Sequence, residues 1–209
     1  MTTHIFKTLL NRTERGLGRT KEFYILFQKS YVNCARFFFG HATAKNTPIK
    51  AFDHLGHPWD LTLTHTTNGE YRIPSLSGFF EHHHVVAGDL IVFEAHEIDG
   101  DVTYSISHER GPYDNLYLWS SRMKAITAIT STITDLSIGH YHIIVNGKQE
   151  ALAITKVTNG YEVFTPFLDG KGKRIPLNKF FKTSEYFSVD SKTREVKPVQ
   201  KIRVQTISR

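Results

Sequence analysis

Residues 88–106 read Gly88-Asp89-Leu90-Ile91-Val92-Phe93-Glu94-Ala95-His96-Glu97-Ile98-Asp99-Gly100-Asp101-Val102-Thr103-Tyr104-Ser105-Ile106. Leu90 to Glu94 has the apolar, β-branched and aromatic character of a strong core strand, and Val102 to Ile106 pairs back on it through the Asp99-Gly100 turn. Upstream, Ser75 is placed to cap a short helix with Leu76, Phe79 and Phe80 on one side, ending near His82, His83 and His84. Earlier still, Trp59-Asp60-Leu61-Thr62-Leu63-Thr64 alternates apolar and polar after the turn Asp53-His54-Leu55-Gly56, as a half-buried strand does. A polar loop, His65 to Glu70, then leads into Tyr71-Arg72-Ile73, with Asn68-Gly69 suited to a tight hairpin turn.

At the N-terminal end, Ile5 to Leu10 and Phe23 to Phe27 read as the strands of a first hairpin. The polar stretch Asn11 to Glu22 between them carries Arg12, Arg15, Arg19 and Lys21, so a long cationic loop is expected there. Beyond Arg110, Ile126 to Ile138 is rich in Thr and Ile. Tyr141–Val145, Ala151–Val157 and Tyr161–Phe167 read as strands joined at Asn146-Gly147 and Asn159-Gly160. Few windows hold a 3.6-residue period, so the chain is mainly β.

The 209 residues are 40% hydrophobic and 12% aromatic, enough to bury a core. No apolar run approaches the roughly 18 residues a membrane span needs, and Met1-Thr2-Thr3-His4 lacks the layout of a signal peptide. A prokaryotic cytoplasmic protein without a membrane partner is the expectation. Cys34 is the single cysteine, which rules out an intrachain disulfide and a cysteine zinc cluster. Lys and Arg outnumber Asp and Glu by 9 to 2 over residues 1–50 and by 11 to 3 over 171–209, while the middle holds 6 against 15. Net charges of +7, −9 and +8 follow, summing to the +6 of the chain. Basic ends suit a phosphate-binding face; the alternative is a basic surface with a solvated tail.

The order of these elements resembles the plant B-three type of DNA-binding domain. The likeness rests on Ile5-Phe6-Lys7 with the basic loop, on Asp53-His54-Leu55-Gly56-His57-Pro58-Trp59, and on Tyr71 to Phe80 followed by Gly88-Asp89-Leu90-Ile91-Val92-Phe93-Glu94. It covers roughly residues 4–107. The β-rich second half departs from the plant pattern and is closer to the B-three-like domains of restriction endonucleases of the EcoRII and BfiI type. The resemblance implies a seven-stranded open pseudobarrel with one or two short helices and a β-rich C-terminal extension. Residues 1–110 would form the DNA-binding core, 111–187 strands completing or extending it, and 188–209 a basic strand or linker.

The resemblance further implies two arms, residues 11–22 and 65–72, that grip the major groove of duplex DNA at a short specific site. Arg12, Thr13, Glu14, Arg15, Arg19, Lys21, His65, Thr66, Thr67, Asn68, Glu70 and Arg72 are the candidate binding residues. Arg can meet guanine with two donors, Asn can pair with adenine and Glu can accept from cytosine, each good bidentate contact discriminating by about 1–3 kcal/mol. Lys21, Thr13, Thr66 and Thr67 suit phosphate contacts, which position without reading. The chain is then a non-catalytic effector or recognition domain of a restriction endonuclease. Binding would need no cofactor, and Mg²⁺ would enter only with a nuclease domain in the same polypeptide.

Two other functions fit parts of the sequence. One is a stand-alone transcriptional regulator; the other is a small Mg²⁺-dependent nuclease using Asp169, Glu195 and Lys197. Twelve histidines, among them His82-His83-His84, His140-Tyr141-His142 and His54-x-x-His57, invite a metal site, but no clear third and fourth ligand stands nearby in sequence, so none is expected. Cys34 beside Phe37-Phe38-Phe39 reads as packing. Trp59, Phe79, Phe80 and Phe93 read as core.

Overall fold

The structure is a computed structural model describing residues 1–27, 29, 48–113, 115–120, 125–130, 136–145, 147–158, 160–166, 168, 170–173 and 186–208. Cys34, Phe37 to Phe39, Asn146, Asn159, Phe167 and Asp169 lie outside the described residues. Two compact units form. Unit 1 comprises Met1–Gly111 and Ile202–Arg209, and unit 2 comprises Pro112–Lys201. The chain is mainly β, as its patterning indicates, and no described helix is long and apolar enough to cross a membrane.

Unit 1 contains β1 (Thr2–Leu9), β2 (Ile25–Phe27), β3 (Pro48–Phe52), β4 (Pro58–Thr62), β5 (Thr64–His65), β6 (Tyr71–Ile73), helix α1 (Ser77–His82), β7 (Leu90–Ile98) and β8 (Asp101–Glu109). A last strand of the chain, β16 (Ile202–Ser208), returns to it. These build a six-stranded sheet ordered β16-β1-β7-β8-β3-β4 and a three-stranded sheet ordered β2-β6-β5. The β7–β8 hairpin forms as its sequence indicates, Ile98 facing Asp101 across Asp99-Gly100.

Both sheets and α1 share one core, in which Phe6, Phe27, Phe79, Phe80 and Phe93 are among the largest fully buried side chains. Phe6 lies at its centre, its ring 5.1 Å from Phe27 and 6.0 Å from Phe93. Trp59 is half-buried against the same core, edge-on to Phe79 at 5.4 Å.

Three local expectations are corrected. Strands β1 and β2 do not pair as a hairpin: β1 has β7 on one edge and β16 on the other along its length, and the three-residue β2 pairs with β6. Ser75 does not cap α1. It takes a φ of 62°, and buried Leu76 occupies the cap position without a side-chain bond, its N–H donating to Phe23 O at 3.2 Å. In the 66–70 loop only Gly69 has a positive φ, 78°. Thr66 O accepts from Gly69 N–H, and Thr66 N–H donates to Glu70 O, a turn closed by a glycine bulge in place of a two-residue Asn-Gly turn.

Unit 2 contains β9 (Leu116–Ser120), β10 (Ala125–Ala128), β11 (Gly139–Val145), β12 (Lys148–Val157), β13 (Gly160–Phe164), β14 (Tyr186–Asp190) and β15 (Glu195–Val199). They close into a seven-stranded barrel, ordered β10-β13-β12-β11-β15-β14-β9 with β9 pairing back on β10. Val145 faces Lys148 and Val157 faces Gly160, so both Asn-Gly junctions join hairpins. The closed barrel therefore stands in the second half of the chain, whereas residues 1–110 contribute two sheets. Its core gathers Tyr117, Ile126, Tyr141, Ile143, Leu152, Ile154, Val163 and Phe187.

Phe6→Ala removes a fully buried ring from the junction of the two sheets. A loss of about 3–5 kcal/mol is expected. Urea unfolding followed by Trp59 fluorescence in a Trp119→Phe background, which leaves one tryptophan in the chain and places it in unit 1, measures it.

Candidate functional site

The first arm begins where β1 ends. It is wound into tight turns, with Arg15 N–H donating to Asn11 O, Leu17 N–H to Arg12 O and Gly16 N–H to Thr13 O. Glu14 anchors it. The residue is buried, and its carboxylate accepts Asn11 N–H and Leu26 N–H, both at 3.0 Å, while Asn11 Oδ1 accepts Glu14 N–H at 2.9 Å. Arg15 is half-buried, donates through Nε to Val85 O at 2.5 Å and lies over the rings of Phe23 and Phe80. Gly16 allows this close packing, because a Cβ there would meet the Phe23 ring at 2.9 Å. Arg12, Thr13, Arg19 and Lys21 are exposed.

The second arm is the β5–β6 connection. His65, Thr67 and Asn68 are exposed, His65 against the Tyr71 ring, while the Thr66 hydroxyl accepts Glu70 N–H at 3.2 Å. Arg72 is half-buried, its guanidinium 4.7 Å over Tyr24 and 3.8 Å from the Glu22 carboxylate, so it links the ends of the two arms. Register places the arms at opposite ends of the β2–β6 ladder. Arm 1 runs into β2 where Ile25 faces Ile73, and arm 2 runs into β6 where Tyr71 faces Phe27. A cleft of about 320 Å³, lined by Glu22, Tyr24, Arg72 and Ser77 among others, opens beside the ladder.

A second constellation forms around Asp53, which sequence alone did not assemble. The buried carboxylate accepts Leu55 N–H and His57 N–H on Oδ1, both at 2.9 Å, and Trp59 Nε1–H on Oδ2 at 3.0 Å. His83 Nε2 is also 3.0 Å from Oδ2. Burial pushes the Asp53 carboxyl up, but the hydrogen bonds from Trp59, His57, Leu55 and His83 outweigh it and hold the group well below the usual carboxylate range. Burial pushes His83 down despite Asp53, and burial likewise lowers His108.

Among the described residues, Asp53, His82 and His83 are the one group of three metal-capable side chains whose ligand atoms lie within 4.8 Å of one another. Asp53, which precedes His54-x-x-His57, and the His82-His83 pair are separated by more than twenty residues in the chain. His140 and His142 instead line a cleft of about 440 Å³ on unit 2 with Gln149, Glu150 and Arg194. On β15, Lys197 Nζ is 2.8 Å from Glu195 Oε2. That bond raises the proton affinity of Lys197, the reverse of what a lysine taking a proton from water needs.

Compared with known proteins, the chain matches no family model and no curated protein.

The titrations set an acid dependence. Asp53 is lowered below its ordinary 3.8, so its stabilisation is present above about pH 4 and lost as pH falls through the folded value. His83 and His108 are lowered below 6.5, so the unfolded chain takes up protons first and stability declines as pH falls below about 6.5. In unfolding titrations of unit 1, His83→Gln is expected to shrink the decline below about pH 6.5. Asp53→Asn is expected to abolish most of the steeper loss below pH 4 and to cost about 1–3 kcal/mol at neutral pH through mispaired buried donors.

Proposed function

We propose that unit 1 binds duplex DNA at a short specific sequence through residues 11–22 and 65–72, as the effector or recognition domain of a restriction endonuclease. One observation carries this proposal: two polar arms, each fixed at its base, flank a single short ladder and hold Arg12, Arg19, Lys21, Thr67 and Asn68 out to solvent. Rigid bases matter because a side chain that reads a base edge must be held in place before DNA arrives.

The placements divide the work. Arg12, Arg19 and Asn68 have the donors and the exposure to read base edges, and Lys21, Thr13 and Thr67 to meet phosphates. Glu14, Arg15, Thr66 and Arg72 support the arms, with Arg72 keeping the two in register. His65 and Glu70 flank the second tip.

Selection from a random duplex pool, followed by titration of the selected site at several salt concentrations, tests this. Arg12→Ala or Asn68→Ala is expected to relax selectivity at one base position by about 1–3 kcal/mol. Lys21→Ala is expected to weaken all sites alike and reduce the salt slope by about 1. A pool that yields no consensus, with equal affinity for every duplex, overturns the proposal.

A further inference from the structure

We infer that Asp53, His82 and His83 bind one divalent transition-metal ion of the zinc type, held between the Asp53–His57 turn and the end of α1. Their ligand atoms already lie within 4.8 Å of one another, and Asp53 Oδ2 is 3.0 Å from His83 Nε2. Two ligands at about 2.0–2.1 Å from a tetrahedral ion stand roughly 3.3 Å apart, so a separation of a few tenths admits the ion between them.

The donor set points to the class of metal. Two imidazoles and one carboxylate oxygen suit zinc, copper or nickel, whereas magnesium and calcium favour oxygen alone. In the metal-free chain a neutral His83 donates its Nε2–H to Asp53. When the ion binds, Nε2 gives up that hydrogen to solvent and Nδ1 takes one from it, so the ring stays neutral and offers Nε2 to the ion beside Asp53 Oδ2. Asp53 is held ready by Leu55 N–H, His57 N–H and Trp59 Nε1–H, none of which has to break.

His82 supplies the argument that the cluster is more than a braced turn. The turn is already held without it, since the contacts of His82 among the described residues are ring contacts with Trp59, His57 and His83. It stands exposed beside the buried Asp53 carboxylate, with a ring nitrogen inside the 4.8 Å group. Three further imidazoles surround the group, His57 at 6.0 Å from His82 and His54 and His108 at 5.6 and 5.8 Å from His83. One of these or water completes the fourth position. This inference stands independently of DNA binding.

Tag-free full-length chain, stripped of metal, is titrated with zinc in a calorimeter and with cobalt(II) in a spectrophotometer. One zinc per chain and the visible absorption of four-coordinate cobalt are expected. His82→Ala is the decisive variant because it leaves every hydrogen bond to Asp53 in place. It is expected to weaken zinc at least about tenfold, with circular dichroism and metal-free thermal unfolding unchanged. The double variant His140→Ala, His142→Ala is expected to bind as the wild type does. Absence of zinc uptake at micromolar concentration, unchanged affinity in His82→Ala, or loss of the ion in the double variant each overturns the inference.

Discussion

A loop that leaves a sheet takes its backbone N–H groups away from the ladder that satisfied them, and wherever such a loop lies against the core those donors need another partner. Unit 1 answers with buried carboxylates. Glu14 takes the N–H groups of Asn11 and Leu26 at the base of the first arm. Asp53 takes those of Leu55 and His57 in the β3–β4 turn. Asp89 takes those of Val86 and Gly111 and pairs with Arg110, closing the approach to β7. Charged acceptors make stronger hydrogen bonds than neutral ones, and several donors on one carboxylate offset its desolvation.

That constraint organises what unit 1 presents to solvent. Because Glu14 and Arg15 are committed to holding the first arm down, the side chains that project are the ones between their anchors. The Arg72 guanidinium, packed on Tyr24 and near Glu22, couples the second arm to the first. An arginine count in a loop therefore overstates how many of its cations stand free in solvent. Of the cations in the two arms, Arg12, Arg19 and Lys21 stand exposed, and Arg15 and Arg72 are partly withdrawn into packing.

The Asp53 turn shows the same economy with a different outcome. Its carboxylate orients Trp59 over Phe79 and meets His83 at the end of α1, so one buried charge joins the turn, the tryptophan and the helix. Histidines from the turn, from α1 and from β8 converge there. Convergence of this kind has no sequence period, because each contributor occupies a different element.

The sequence by itself determined the β class, the β7–β8 hairpin, the two hairpins of the second half, the apolar face of α1 and the existence of two polar arms. Each is a local matter of side-chain alternation or turn chemistry over a few residues. Tertiary structure decided which strand lies beside which: β16 returning to β1, parallel pairing of β3 with β8 and of β11 with β15, and barrel closure in unit 2. It also decided that Glu14 faces inward and that Asp53 meets His83. Strand partners and buried charge contacts depend on surface buried between residues far apart in the chain, and a period or a dipeptide carries no record of that.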